Sequence, residues 1–311
     1  MKRVVLAAAL CLTASAGAQA QVDLSYKPKL ESGDVTRNVA ELKMEQNLVL
    51  AGMNVDTSVE SFSATLETAG EATADGNTPF ATEFEYFIIN LSTPVGDYSF
   101  DSGSPEAAKG SGELNRLTDL FTALSAAKWT AVISDEPKIE SFEFNGEPFA
   151  DLDEELSRDA TPERFIQDYE QRFGRYPDAP VSEGESWKRT EVTNLGSGQT
   201  FTIEKEYTYV GSEEVDGATV DKISVKAVSV EYDLGQGNPL PLTLEKSDLE
   251  FSESEGTLIY DRAQGRITSA HESMRIEGQL DFSINVNGQK MEFPGEIDLK
   301  IEASETVDVQ E

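Results

Sequence analysis

Apolar and polar residues alternate along most of this chain, most clearly near its C-terminal end. There, every second position is apolar or glycine: Met274, Ile276, Gly278, Leu280, Phe282, Ile284 and Val286. A period of two predicts a β-strand with one buried and one wet face, which favours antiparallel pairing. Asn287-Gly288 favours a type I′ hairpin turn, and Met291 and Phe293 continue on the return strand.

The same alternation recurs upstream. One further strand pattern is formed by Phe201, Ile203, Tyr207 and Tyr209. A turn is predicted at Asp216-Gly217, and the next pattern is formed by Ile223, Val225 and Ala227. The alternation then changes phase, to Val228, Val230, Tyr232 and Leu234. A change of phase within one strand is what a β-bulge produces, so we predict a bulge near Val228.

Strand patterns also fill the N-terminal part of the chain. Residues that share a phase there are Leu42, Met44, Leu48 and Leu50, then Phe62, Ala64 and Leu66, then Phe80, Phe84, Tyr86 and Ile88. Phe87 and Ile89 make the last of these apolar on both faces. We therefore predict a central strand there, covered on both sides.

Two segments show helical rather than strand periodicity. Between Gly112 and Lys128 the apolar residues on one helical face are Leu114, Leu117, Leu120, Phe121 and Leu124. The second helix is predicted from Thr161 as the capping hydroxyl, through Pro162, to Gly174. Its aromatic stripe, Phe165, Tyr169 and Phe173, is more typical of a core contact than of a cofactor site.

These elements predict an α+β fold, predominantly antiparallel β, with two long-stranded curved sheets or half-barrels and two amphipathic helices. The prolines at 177 and 180 make residues 176–180 the best linker. We therefore divide the chain into a signal peptide (1–20), a β-rich first half with two helices (21–180) and an antiparallel β second half (181–311).

The first twenty residues predict export. Lys2 and Arg3 precede an apolar run, and Ala18-Gln19-Ala20 is a small-x-small cleavage site, so we expect a periplasmic or extracellular protein. No later segment approaches the roughly 20 apolar residues of a membrane helix. Cys11 lies in the apolar run, so lipidation at Cys11 is the alternative, although Leu10 stands where a small residue is expected. Cleavage after Ala20 would leave no thiol for disulfides, metal binding or catalysis.

The chain is strongly acidic. It has 25 Lys and Arg against 58 Asp and Glu, a formal charge of −33, and loss of Lys2 and Arg3 leaves 23 against 58, or −35. Such a surface repels phosphate backbones, so we predict no nucleic-acid partner. The acids are spread along the chain, which favours solubility over loose binding of divalent cations as their explanation.

Candidate chemistry is sparse. His271 is the single histidine and has no nucleophile motif beside it, so we expect a surface or edge residue. Asp151, Asp153, Glu154 and Glu155 lack EF-hand spacing, and an acidic helix entry explains them as well as calcium does. Trp129 and Trp187 stand in strand patterns and predict core packing. We predict no catalytic, cofactor-binding or metal-binding residues.

Three segments of the second half carry a family resemblance. They are Glu183-Gly184-Glu185-Ser186-Trp187, Tyr207-Thr208-Tyr209-Val210-Gly211 and the stretch from Asp261 to Ile267. With them the chain resembles an uncharacterised family of exported bacterial proteins of unknown function, which implies export and supplies no active-site residues. The order of elements is also similar to the half-barrel of periplasmic lipoprotein carriers, where helices cover a curved sheet over an apolar cavity.

Two functional hypotheses follow. The first is a non-enzymatic binder or carrier of a lipid, another hydrophobic ligand or a lipidated peptide; it requires an apolar cavity, whereas the same side chains could simply fill a core. The second is an envelope structural or protein-interaction module. A hydrolase ranks third, because among 58 acids some pair of carboxylates lies close in any fold. We predict that the protein is not an enzyme.

Overall fold

The computed structural model describes residues 21–157, 160–196, 199–215, 217–235, 242–286 and 289–310. The predicted signal peptide, Cys11, Asp216 and the Asn287-Gly288 turn lie outside these ranges. The helices are α1 (Leu117–Ala126), α2 (Glu154–Ser157) and α3 (Pro162–Gly174). The strands are β1 (Val35–Leu50), β2 (Met53–Ala69), β3 (Thr78–Thr93), β4 (Gly96–Asp101), β5 (Lys109–Gly110), β6 (Lys128–Ile133), β7 (Ile139–Phe144), β8 (Ser186–Gly196), β9 (Gln199–Val215), β10 (Ala218–Leu234), β11 (Thr243–Asp261), β12 (Arg266–Val286), β13 (Gln289–Phe293) and β14 (Gly295–Gln310).

All these strands belong to one antiparallel sheet. Its order is β5-β4-β3-β2-β1-β14-β12-β11-β10-β9-β8, with β13 added to β12, and with β6 linking β3 to β7. The predicted α+β class with two sheets is therefore wrong: the described chain is mainly β, with short helices on one open curved sheet. Alternation identifies the two faces of a strand, whereas the partner of a strand depends on contacts between distant segments.

The two ends of the chain pair with each other. β1 and β14 are in register from Val35 opposite Gln310 to Leu50 opposite Gly295. Strands from both sides of residues 176–180 thereby become neighbours in the same sheet. Tyr176, at the start of that segment, is buried, and its hydroxyl accepts a hydrogen bond from the Ile267 amide at 3.0 Å.

We call the sheet face that carries α1 and α3 the inner face. The alternating residues Met274, Ile276, Leu280 and Phe282 of β12 are buried on this face, as predicted. In β1, Leu42 and Met44 also point inward, in phase with Asn38 and Ala40. In β2, however, the inward phase is the polar one, formed by Ser61, Ser63, Thr65 and Glu67.

Two of the register shifts in the sheet bear on the predicted strand patterns. In β10 the register with β9 shifts between Ala227 and Ser229, and Val228 is exposed while Ala227 and Val230 are buried. The predicted bulge is confirmed. In β3, Phe84 lies opposite Thr65 and Tyr86 opposite Ala64, so Glu85 has no partner on β2.

The β3 bulge accounts for the apolar residues that predicted a strand buried on both faces. Phe80 and Phe84 join one inner cluster, and beyond the bulge Phe87 and Ile89 join the next. The strand is internal to the sheet, since β2 pairs along one edge and β4 and β6 along the other.

The largest apolar cluster is a packed core formed by strands alone. β10 pairs with β11 only as far as Val225 opposite Gly256. Beyond that point, apolar residues of β9 and β10 pack with those of β12, β14 and β1; the Tyr232 and Phe282 rings, for example, lie 6.3 Å apart. The Phe, Tyr, Met and Ile side chains here fill the interior.

The helices cover the other part of the inner face. Phe121 of α1 contacts Phe87, Tyr98 and Phe100, with ring centroids 5.6–5.9 Å apart. α3, the second of the two predicted helices, begins at Pro162 and ends at Gly174, but the side chain of Thr161 makes no capping hydrogen bond. No helix in the described ranges is both long and apolar enough to cross a membrane.

Candidate ligand-binding groove

Aromatic residues hold α3 on the sheet. Phe165 packs on Trp129 of β6 with ring centroids 5.2 Å apart, and Tyr169 is buried. The Trp129 indole N–H donates to the Tyr169 hydroxyl at 3.1 Å, and Thr82 Oγ1 lies 3.3 Å from the same oxygen. The predicted core role of the stripe and of Trp129 is confirmed.

Strand β8 holds the C-terminal end of α3. Trp187 Nε1 donates to the Arg175 carbonyl at 3.2 Å, and Arg189 donates to the Tyr176 carbonyl at 3.0 Å. The Arg175 carbonyl is one that a helix end leaves without a partner inside the helix, and the Tyr176 carbonyl follows directly after the cap. The Trp187 ring also stacks on Tyr207, 5.7 Å between centroids, which confirms its predicted packing role.

Between α3 and the inner faces of β1, β2 and β14 lie two adjoining clefts, which together we call the groove. The aromatic cleft has a volume of about 240 Å³, and its apolar wall is formed by Phe84, Trp129 and Phe165. The charged cleft has a volume of about 430 Å³. Both clefts are lined by Ala40, Ser63, Asp168, Arg172 and Glu305.

A network of ion pairs borders the charged cleft, buried around Lys205 and more exposed at Arg172. Lys205 Nζ lies 2.6 Å from Glu272 Oε2 and 2.7 Å from Glu191 Oε2. Arg175 donates to Glu305 Oε2 at 2.7 Å, whereas Arg172 lies 3.6 Å from Glu305 Oε1. We call these six residues the charge network.

Burial and ion pairing act in opposite directions on the pKa values of Glu305, Glu191 and Lys205. Burial opposes the charge on Glu305, but Arg172 and Arg175 outweigh it and lower the Glu305 pKa to about 2. Burial likewise opposes the charges on Glu191 and Lys205, yet Lys205 and Arg175 leave the Glu191 pKa lowered, and Glu272 and Glu191 leave the Lys205 pKa raised. At neutral pH, Glu305, Glu191 and Lys205 are therefore fixed charges. A group that transfers protons needs a pKa near the working pH, so these three are not suited to that role.

Glu67 differs from the charge network. Its side chain lines the aromatic cleft and a cavity of about 60 Å³ that it shares with Arg266. Burial raises the Glu67 pKa, although Arg172, Arg266 and a hydrogen bond from Tyr169 act in the opposite direction. At Glu67, therefore, the environment disfavours the charged form of the carboxyl.

The candidates singled out from the sequence lie away from the groove. His271 is exposed on β12, an internal strand, so the predicted surface position is confirmed. Asp153 pairs with Arg116 at 3.0 Å and accepts from the Leu156 amide at 3.0 Å, as an acidic helix entry does. Among the described residues, no group of three or more His, Cys, Asp or Glu has an arrangement suited to a metal ion.

Sequence reasoning missed the charge network. Three of its residues stand in the inward-facing phase of a strand. Lys205 lies between Ile203 and Tyr207 on β9, and Glu272 precedes Met274 on β12. Glu305 follows Ile301 and Ala303 on β14. The signal was a charge at a position where alternation requires an apolar residue. The α3 residues gave no such signal, because charged residues are ordinary on a helix.

No family model matches the chain, and no curated protein matches it. Among solved structures, it is similar to lipovitellin, described for its lipid–protein interactions, with a TM-score of 0.39 and 9% identity over 92% of this chain. It spans only 26% of the lipovitellin chain. An outer membrane channel from Pseudomonas putida F1 matches with a TM-score of 0.26 and 8% identity, over 93% of this chain and 100% of that one.

A DUF1329 family protein from Desulfovibrio piger matches with a TM-score of 0.13 and 11% identity, over 85% of this chain and 83% of that one. These scores and identities are too low to support an argument about function. The resemblance to an uncharacterised family of exported proteins stays a prediction.

Proposed function

We propose that this protein is a non-enzymatic binding module for a small amphiphilic ligand, held in the groove between α3 and the sheet. One observation carries the proposal: the groove joins an aromatic cleft to a charged cleft through shared residues. Ligand sites are typically concave, largely apolar and supplied with a few fixed polar groups. An apolar group in the aromatic cleft would lie beside Trp129 and Phe165, with its polar end near Arg172 and Asp168.

The dimensions favour a small ligand over a long-chain lipid. The clefts, at about 240 and 430 Å³, compare with about 300–1,000 Å³ for typical small-molecule sites. The extended apolar face that a long acyl chain would need is packed against β9 and β10 instead. The predicted hydrophobic-ligand binder thus becomes a binder of short amphiphiles.

The ionisation of the charge network supports binding rather than catalysis. Lys205, with a raised pKa, stays protonated, so it is not the free amine that attacks a carbonyl. Glu191 and Glu305, with lowered pKa values, stay ionised. Such fixed charges orient a ligand and require no proton transfer.

The test is calorimetric titration of the protein with three unbranched eight-carbon probes: octylammonium, octanoate and 1-octanol. We expect saturable one-site binding of at least one probe. Ala40→Phe fills the junction of the two clefts and should abolish that binding. Val39→Phe is the matched control, because Val39 is the next residue of β1 and faces the opposite side of the sheet.

Binding of no probe, or binding that survives Ala40→Phe in a protein with unchanged circular dichroism, would contradict the proposal. Native mass spectrometry of the protein purified from its host offers an independent measurement, since a retained small molecule should be lost from the Ala40→Phe variant.

A further inference from the structure

The charge balance of the groove indicates which polar group its ligand carries. The acids that line the two clefts are Glu41, Glu67, Asp168, Glu191, Glu272 and Glu305. The bases that line them are Arg172 and Arg175. Lys205 and Arg266 lie behind this lining and Arg164 lies beside Asp168, so the excess of acids over bases is confined to the residues that line the clefts.

Asp168 carries the accessible part of this excess. Glu191 and Glu272 share Lys205, and Glu305 binds Arg175. The nearest cation to Asp168 is Arg164, whose Nε lies 3.9 Å away, and the Asp168 side chain is 57% exposed. Asp168 also lines both clefts, so its carboxylate stands at the junction where the polar end of a ligand would lie.

Resting on the proposed function, we infer that the ligand is a cationic amphiphile, an amine whose ammonium group pairs with Asp168 while its apolar part occupies the aromatic cleft. An ammonium group gains from the excess of carboxylates and from the faces of nearby aromatic rings. A ligand carboxylate that paired with Arg172 would instead be repelled by Glu305 and by Asp168. Glu305 Oε1 lies 3.6 Å from the Arg172 guanidinium. Partial desolvation, which raises the Asp168 pKa, agrees with a carboxyl that would gain from a cationic partner.

The three eight-carbon probes test this inference, because they differ in the polar group. At pH 7 and moderate salt, octylammonium should bind at least about tenfold more tightly than octanoate or 1-octanol, a factor that corresponds to about 1.4 kcal/mol. Equal binding of all three, or tighter binding of octanoate, would overturn the cationic assignment and leave the proposed function standing. Failure of every probe would overturn both.

Asp168→Asn should remove most of the preference for octylammonium over 1-octanol. Glu170→Gln is the matched control, since Glu170 is an exposed acid on the same helix and does not line either cleft. An unchanged preference in Asp168→Asn, or an equal loss in both variants, would contradict a direct role for Asp168 and indicate the general negative field of the protein instead.

Discussion

At the scale of single residues, two glutamates of the same groove have opposite pKa shifts. Glu305 has a folded-state pKa of about 2, below the roughly 4.3 of an unfolded glutamate. Its ionisation therefore stabilises the fold above the unfolded pKa, and this contribution is lost as the pH falls towards 2. Glu67 has a raised pKa, so its contribution is present below the unfolded pKa and is lost as the pH rises through the folded value.

The same substitution should therefore act differently at these two positions. At pH 7, Glu305→Gln should lower the free energy of unfolding by about 3 kcal/mol, because Arg175 loses its anionic partner. That deficit should shrink as the pH falls towards 2. Glu67→Gln should leave the free energy of unfolding unchanged or slightly raised at pH 7. Urea unfolding of both variants at pH 7, 5 and 3 measures this, and equal losses at pH 7 would show that the shifts are misassigned.

At the scale of secondary-structure elements, one hydroxyl group links α3 to two strands of the sheet. The Tyr169 hydroxyl accepts a hydrogen bond from the indole N–H of Trp129 on β6 and lies 3.3 Å from Thr82 Oγ1 on β3. Because Trp129 and Thr82 are each only 5% exposed, water does not readily replace that partner. The hydroxyl therefore fixes α3 over the sheet and keeps the aromatic cleft in shape.

Tyr169→Phe should lower the free energy of unfolding by about 1–3 kcal/mol, because it leaves buried donors without partners. Tyr86→Phe is the control: Tyr86 lies on β3 but outside the groove, and its change should remain within about 0.5 kcal/mol. Chemical denaturation measures both. Similar small effects would mean that the hydroxyl does not hold α3.

The elements also show what periodicity predicts and where it fails. Met274 to Phe282 and the Val228 bulge followed from alternation, because burying one face of a strand fixes which residues are apolar. Lys205 and Glu305 broke the same alternation. Their partners come from other strands and from α3, so no spacing along the chain could have identified the groove.

At the scale of the whole molecule, the formal charge of −33 opposes compaction. Most of this charge is exposed, so dissolved ions screen it, whereas the buried charges of Lys205, Glu191 and Glu272 are screened much less. The fold should therefore be more stable in salt even though salt weakens surface ion pairs.

Raising sodium chloride from about 0.01 M to about 0.5 M at pH 7 should increase the melting temperature. Each kcal/mol gained in the free energy of unfolding should raise it by roughly 2–4 °C. Near pH 4, where carboxylates are partly protonated, the increase should largely disappear. Differential scanning calorimetry provides the comparison. A decrease at pH 7 would mean that surface ion pairs outweigh self-repulsion.

The sequence alone determined which side chains of many strands face inward, where two helices form and that the surface is acidic, because these properties depend on neighbours within a few residues. Only the tertiary structure decided that β1 pairs with β14, that the strands form one sheet and that β9 and β10 close over its largest apolar cluster. It also brought Lys205, Glu272, Glu305 and Arg175 together. Pairing and ion contacts between distant segments depend on the path of the chain in space, and periodicity records only the face on which each residue lies.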